Sequence, residues 1–198
     1  MNLIATHNSG TGESSKNILY SLLIPFARTQ SKTLRDQVLS GCTYFDIRIK
    51  YDGYMDIGRF RVCHGLWKSK CTFSDALNSI LYALGGSDNV NLMVTYEGKL
   101  PEFITESVFI EDIKNFVDSY ISSYDGYVFG TFNLTSINVK KPEWHSIWQG
   151  EYCPKYEQGY KNLDGSSWHT YLPIPWLWNK FYGNHNFKEN SYVFVDFL

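Results

Sequence analysis

The chain has 198 residues, 43% of them apolar, which suits one domain with a sizeable core. Its 18 basic and 20 acidic residues leave a formal charge of −2, too little for the broad basic field that nucleic-acid binding needs. No run of about 18 apolar residues occurs and no charged leader precedes an apolar stretch, so a cytoplasmic protein without a membrane span is the default expectation. Cys42, Cys63, Cys71 and Cys153 form no close CxxC pair and read as buried free thiols rather than as a zinc site.

Residues 2–7 read as a short strand and 17–28 as a helix interrupted by Pro25. Leu34, Val38 and Leu39 give the apolar face of a second helix, closed by Gly41. The strand over 44–50 places Tyr44, Asp46, Arg48 and Lys50 on one face and Phe45, Ile47 and Ile49 on the other. Such a strand has helices outside and a polar site inside. Another strand over 59–64 follows the Asp52-Gly53 turn. Thr72-Phe73-Ser74-Asp75 reads as a capping box; Ala76, Leu77, Ile80, Leu81 and Leu84 then recur at helical spacing until Gly85-Gly86. A strand over 90–96 and an amphipathic helix carried by Phe109, Ile110, Ile113, Phe116, Val117, Tyr120 and Ile121 follow. A fifth strand is expected over 126–132 and a terminal one over 192–198. Residues 133–191, rich in Trp, Gly and Pro, show no clean periodicity.

This alternation of strand and helix argues for parallel pairing in an α/β fold. A full eight-fold barrel takes about 250 residues and about 200 at its lower edge. The expectation is therefore a compact, trimmed TIM-type (β/α) barrel, one domain across residues 1–198, with irregular aromatic loops late in the chain.

Two histidines end strands in this scheme. His7 lies in Leu3-Ile4-Ala5-Thr6-His7-Asn8-Ser9-Gly10-Thr11, and His64 in Arg61-Val62-Cys63-His64-Gly65. Between them stands the Asp46-Ile47-Arg48 strand. An imidazole pKa near about 6.5 lets one ring accept a proton while the other donates one at neutral pH. A guanidinium keeps its charge throughout and grips a phosphoryl group with two donors. This constellation suits acid/base chemistry at a phosphodiester. The lone His145, His169 and His185 read as surface or core residues.

In order and wording these blocks resemble the X domain of phosphatidylinositol-specific phospholipase C. The resemblance covers residues 2–97 in detail, through Thr6 to Thr11, Thr29 to Gln37, Gly41 to Ile49 and His64-Gly65, and the last seven residues more weakly. It implies that His7 is the general base, taking the proton of an inositol 2-hydroxyl, and that His64 is the general acid for the departing diacylglycerol oxygen. The products would be diacylglycerol and a cyclic inositol phosphate. Arg48 would hold the phosphate, Asn8 would add a hydrogen bond beside His7, and Asp196 would fix the tautomer of His7. Asp46 would orient Arg48 or a substrate hydroxyl, and Glu97 would face a sugar hydroxyl.

The calcium-dependent members suggest a cation held through Asn8, Asp46 and Glu97. Arg48, however, stands where such a site needs a carboxylate, so the metal-independent mode without a cofactor is favoured. The implied partners are a phospholipid or inositol-phosphate substrate and a transiently touched membrane surface, with no nucleic acid. Trp176-Leu177-Trp178 and Phe181-Tyr182 read first as packing over the shortened barrel and second as an interfacial patch. Two further readings stay open: a phosphodiesterase for a lysophospholipid, a glycerophosphodiester or a cyclic phosphate, and a non-catalytic binder of inositol phosphates or lipid head groups.

Overall fold

A computed structural model describes residues 3–6, 9–24, 30–84, 89–122, 131–140, 156–158 and 192–195. Its strands are β1 (Leu3–Thr6), β2 (Cys42–Lys50), β3 (Arg61–His64), β4 (Trp67–Thr72), β5 (Asn89–Glu97), β6 (Thr131–Lys140), β7 (Tyr156–Gln158) and β8 (Tyr192–Val195). Its helices are α1 (Ile18–Ser21), α2 (Leu34–Leu39), α3 (Phe73–Leu84) and α4 (Glu106–Ser122).

The order β7-β8-β1-β2-β5-β6 is a run of parallel neighbours, as alternating strands and helices require. Into it is set an antiparallel hairpin. β3 pairs with the last residues of β2 through Ile49↔Val62 and Lys50↔Arg61, and β4 folds back on β3. One edge of β2 is thus shared, its first half given to β1 and its end to β3, while β5 takes the other edge. Among the described residues no pairing of β6 with β7 closes a barrel, so the trimmed barrel stands here as a mixed α/β fold on a largely parallel sheet.

The alternation in β2 does what its pattern demands. Phe45, Ile47 and Ile49 join Val90, Leu92, Val94 and Tyr96 of β5 in the core, packed on Leu77 and Ile80 of α3 and on Phe109, Ile113 and Val117 of α4. Fully burying each such side chain contributes about 1.5–3 kcal/mol. Phe60, Tyr96 and Phe109 lock the helix-covered side, with Tyr96 and Phe109 meeting edge to face at 5.2 Å. The starts of α2 and α3 are capped, the second as its sequence predicts. Thr33 Oγ1 accepts from Asp36 N–H at α2, and Thr72 and Asp75 exchange the reciprocal bonds of a capping box at α3. Gly41 N–H closes α2 on Val38 O at 2.8 Å.

Three differences have physical causes. α1 spans only Ile18–Ser21 of the helix expected over 17–28, of which residues 25–28 lie outside those described. β4 was not foreseen: its inward positions are Trp67, Ser69 and Cys71, and the Lys-Ser-Lys run hides the alternation. β6 occupies 131–140 rather than ending at 132, and residues 126–130 lie outside those described. Its pairing with β5 slips by one residue after Leu92↔Leu134, so the apolar positions run Phe132, Leu134, then Ile137 and Val139. A bulge breaks period two, and a bulged strand reads as aperiodic.

Cys42, Cys63 and Cys71 are buried free thiols, and burial pushes the Cys42 thiol up to about 11. Cys153 lies outside the described residues. Among the described residues no helix is long and apolar enough to cross a membrane.

Candidate active site

The inner face of β2 carries Asp46 and Arg48, both buried. Arg48 Nε and Nη2 donate to Asp46 Oδ2, each at 3.2 Å, and Nη1 donates to Glu97 Oε1 at 2.9 Å. Glu97 ends β5, alongside the end of β2. Burial alone would weaken the charge of Arg48, but the Asp46 and Glu97 carboxylates outweigh it and keep the guanidinium firmly protonated.

The second carboxylate oxygen of Glu97 reaches the hairpin. The N–H of Gly65 donates to Glu97 Oε2, in a turn where Gly65 has φ of +60°. His64, half-buried, ends β3 immediately before it. One carboxylate therefore joins Arg48 to the turn that follows His64. Left-handed backbone at position 65 suits glycine and lets the turn present its N–H inward.

A second tie lies at the end of β1. Ser9 Oγ donates to Thr6 O at 2.8 Å and accepts from the Asp46 N–H at 2.8 Å, while its carbonyl accepts from Gln37 Nε2 at 2.8 Å. The residues on either side of His7-Asn8 are thus fastened to β2 at Asp46. Gly10 owes its identity to packing: a Cβ there would sit 2.1 Å from Val62 Cγ1 of β3. His7, Asn8 and Asp196 lie outside the described residues, as do Trp176-Leu177-Trp178 and Phe181-Tyr182. β1 and β8 end together at the pair Thr6↔Val195.

Asp46 and Glu97 are the described members of the calcium alternative, and they do not fit a cation. Both are bonded to Arg48, whose charge takes the place a divalent ion would need. The same bonds are what the structure shows for their expected contacts with substrate hydroxyls: each carboxylate faces Arg48.

Four residues escaped the sequence reading. Ser9 and Gln37 position the loop after β1, and Thr95 and Asn138 extend the inner face at the level of Arg48, through the register Arg48↔Thr95↔Asn138. Ser9 and Gln37 lay within motif blocks but were given no role, and Thr95 and Asn138 lay in none that was singled out for the site. The flank of the hairpin holds a further cluster: Asp52 binds Lys16 Nζ at 2.6 Å, Lys68 Nζ at 2.7 Å and Arg61 Nε at 3.0 Å. Burial would raise its pKa, but hydrogen bonds from those cations hold it at about 2.

No family model matches the sequence, and no curated protein matches it. Solved structures do. Phosphatidylinositol-specific phospholipase C from Listeria monocytogenes superposes with a TM-score of 0.50 at 20% identity, covering 70% of this chain and 51% of that one. A mutant of the Staphylococcus aureus phosphatidylinositol-specific phospholipase C gives 0.53 at 16% identity, covering 69% and 47%. Another mutant of it gives 0.53 at 15% identity, covering 100% and 86%. In the first two matches the chain spans about half the length of the structure it matches. The fold of this chain is that of the bacterial phosphatidylinositol-specific phospholipases C.

Proposed function

We propose that this chain, as one domain over residues 1–198, is a phosphodiesterase that cleaves a phosphatidylinositol-type phosphodiester without a metal. His7 takes the proton of the inositol 2-hydroxyl as that oxygen attacks phosphorus in line. The bond from phosphorus to the diacylglycerol oxygen breaks, and His64 protonates the departing oxygen. Diacylglycerol and a cyclic inositol phosphate leave, and each proton transfer contributes about 10²–10⁴-fold in rate.

The observation that carries this reading is the double attachment to β2: the segment flanking His7 is fastened at Asp46, and the turn after His64 is fastened to Arg48 through Glu97. Two histidine-bearing segments thus converge on adjacent inward residues of one strand. Arg48 supplies fixed positive charge for the phosphoryl oxygens as negative charge grows. Asn8 adds a hydrogen bond beside His7. Asp196, which follows Val195, orients the imidazole of His7; the Thr6↔Val195 pair supports that placement.

Contact with a lipid surface has support of its own. Ile18, Leu19 and Leu22 of and beside α1 are exposed, as is Leu66 in the turn after His64. The strand-like segment before α1 pairs with β4 through Lys16 N–H and Lys68 O, which brings α1 to the same end of the hairpin as Leu66. Exposed aliphatics with lysines behind them suit an anionic bilayer.

Phosphorus NMR of phosphatidylinositol vesicles incubated with the protein tests the reading. A cyclic phosphate is expected as the first product, with turnover lost in His7→Ala and in His64→Ala and kept in a strong chelator. Turnover surviving both substitutions defeats it.

A further inference from the structure

On β6 the residue level with Arg48 is Asn138. In register beside this row, Ile47 and Val94 lie in the helix-covered core and Ile137 packs against it, which leaves Asn138 on the inner face with Arg48. Asn138 is only 7% exposed. Its Nδ2 makes one long hydrogen bond, 3.4 Å to Ser136 Oγ, and its Oδ1 has no partner among the described residues. Among the described residues nothing in the sheet asks for this side chain. Asparagine is a poor strand residue, and an unsatisfied buried amide opposes folding.

We infer that Asn138 is a specificity-determining contact for a hydroxyl of the substrate's polyol head group, its unpartnered amide atom bonding the ring while the phosphoryl group sits at Arg48. This rests on the phosphodiesterase reading above and deepens it. Strand spacing puts the two Cα atoms about 10 Å apart, the reach of a six-membered polyol with its phosphate. The chemistry of the amide selects the class of ligand. Turning it by half a revolution exchanges oxygen and nitrogen, and Ser136 Oγ serves either orientation. A hydroxyl both donates and accepts, so it satisfies whichever atom faces inward. A phosphate oxygen only accepts.

The test is binding of free myo-inositol to the full chain by ligand-observed NMR, beside turnover of phosphatidylinositol. Asn138→Val keeps a strand-forming side chain and removes both polar atoms. It is expected to weaken myo-inositol binding about tenfold, the effect of one lost hydrogen bond, and to raise KM with kcat retained. Its melting temperature should hold or rise, because an unsatisfied polar group is gone. Asn138→Asp keeps an acceptor of the same shape and should bind myo-inositol like the wild type while losing affinity for inorganic phosphate. Should Asn138→Val fail to fold, Asn138→Ala, which also removes both polar atoms, carries the same expectation on myo-inositol. Unchanged affinity in Asn138→Val or Asn138→Ala, or no myo-inositol binding by the wild type, overturns the assignment. A wild type that binds myo-inositol through Asn138 yet leaves phosphatidylinositol uncut would support the contact and refute the reaction.

Discussion

The β3–β4 hairpin is held by two charge clusters of opposite design. Inside, one cation lies between two carboxylates, Asp46–Arg48–Glu97, all buried, with a formal charge of −1. On the flank one carboxylate, Asp52, gathers Lys16, Arg61 and Lys68, a formal charge of +2 on partners that reach water. In a low-dielectric interior the loss of either partner strands a charge, so the inner cluster has one workable arrangement. Outside, water and a surplus of cations make each partner replaceable. The inner cluster therefore sets orientation, and the outer one holds the hairpin in place. Lys68 lies on β4, Arg61 on β3, and Lys16 on the segment paired with β4.

The sharpest way to break this contrast is Arg48→Met. It leaves Asp46 and Glu97 buried without their cation and should cost about 3–5 kcal/mol of folding stability. Urea unfolding at pH 7 and pH 5 checks it: the deficit should shrink at pH 5, because protonating one of the two carboxylates relieves the repulsion between them. A loss equal at both pH values, or below about 1 kcal/mol, would place the cluster among ordinary surface pairs.

Next comes Glu97→Gln. The amide keeps the shape but has one acceptor oxygen where the carboxylate has two, so the bond from Arg48 or the bond from Gly65 is lost. Misplacing His64, the proposed general acid, in this way should lower kcat about 10–100-fold with KM little changed. A residue that grips a sugar hydroxyl would instead raise KM. Steady-state kinetics on phosphatidylinositol separates the two, with Asp52→Asn as the control expected to stay within about threefold of the wild type.

What was legible in the sequence follows the range of each interaction. The polar and apolar faces of β2, the caps of α2 and α3 and the core stripe of α4 are local patterns, and each is where the spacing put it. β6 was obscured by a single extra residue in its ladder, and β4 by polar side chains at both inward and outward positions. The bonds that give the site its shape were not legible. Glu97 meets Gly65 across 32 residues, and Lys16 meets Asp52 across 36. Neither spacing corresponds to a helix turn or a strand pair. Asp46 and Arg48 stood out because two opposite charges on one apolar strand need each other, whereas Glu97 was reached only through the resemblance, as a sugar or cation contact and not as a partner of Arg48.

Asp52→Asn is expected to cost about 1–2 kcal/mol at pH 7, from a pKa held at about 2 and partners that are partly solvated. The folded pKa lies below the unfolded value of about 3.9, so this stabilisation is complete above pH 4 to 5 and disappears as the pH falls toward 2. Thermal melts of wild type and Asp52→Asn should converge across that window. A constant gap between the two curves would mean that the carboxylate acts by shape rather than by charge.

The smallest effect belongs to Lys16→Met. Its ammonium is the most exposed of the three cations on Asp52, and Arg61 and Lys68 remain to hold the carboxylate. About 0.5 kcal/mol or less is expected at low salt, falling toward zero at 1 M, where the Debye length is about 3 Å. The backbone bond from Lys16 N–H to Lys68 O survives the substitution, so the segment before α1 keeps its place. A loss comparable to that of Asp52→Asn would show that the outer cluster lacks redundancy and that the two clusters are alike after all.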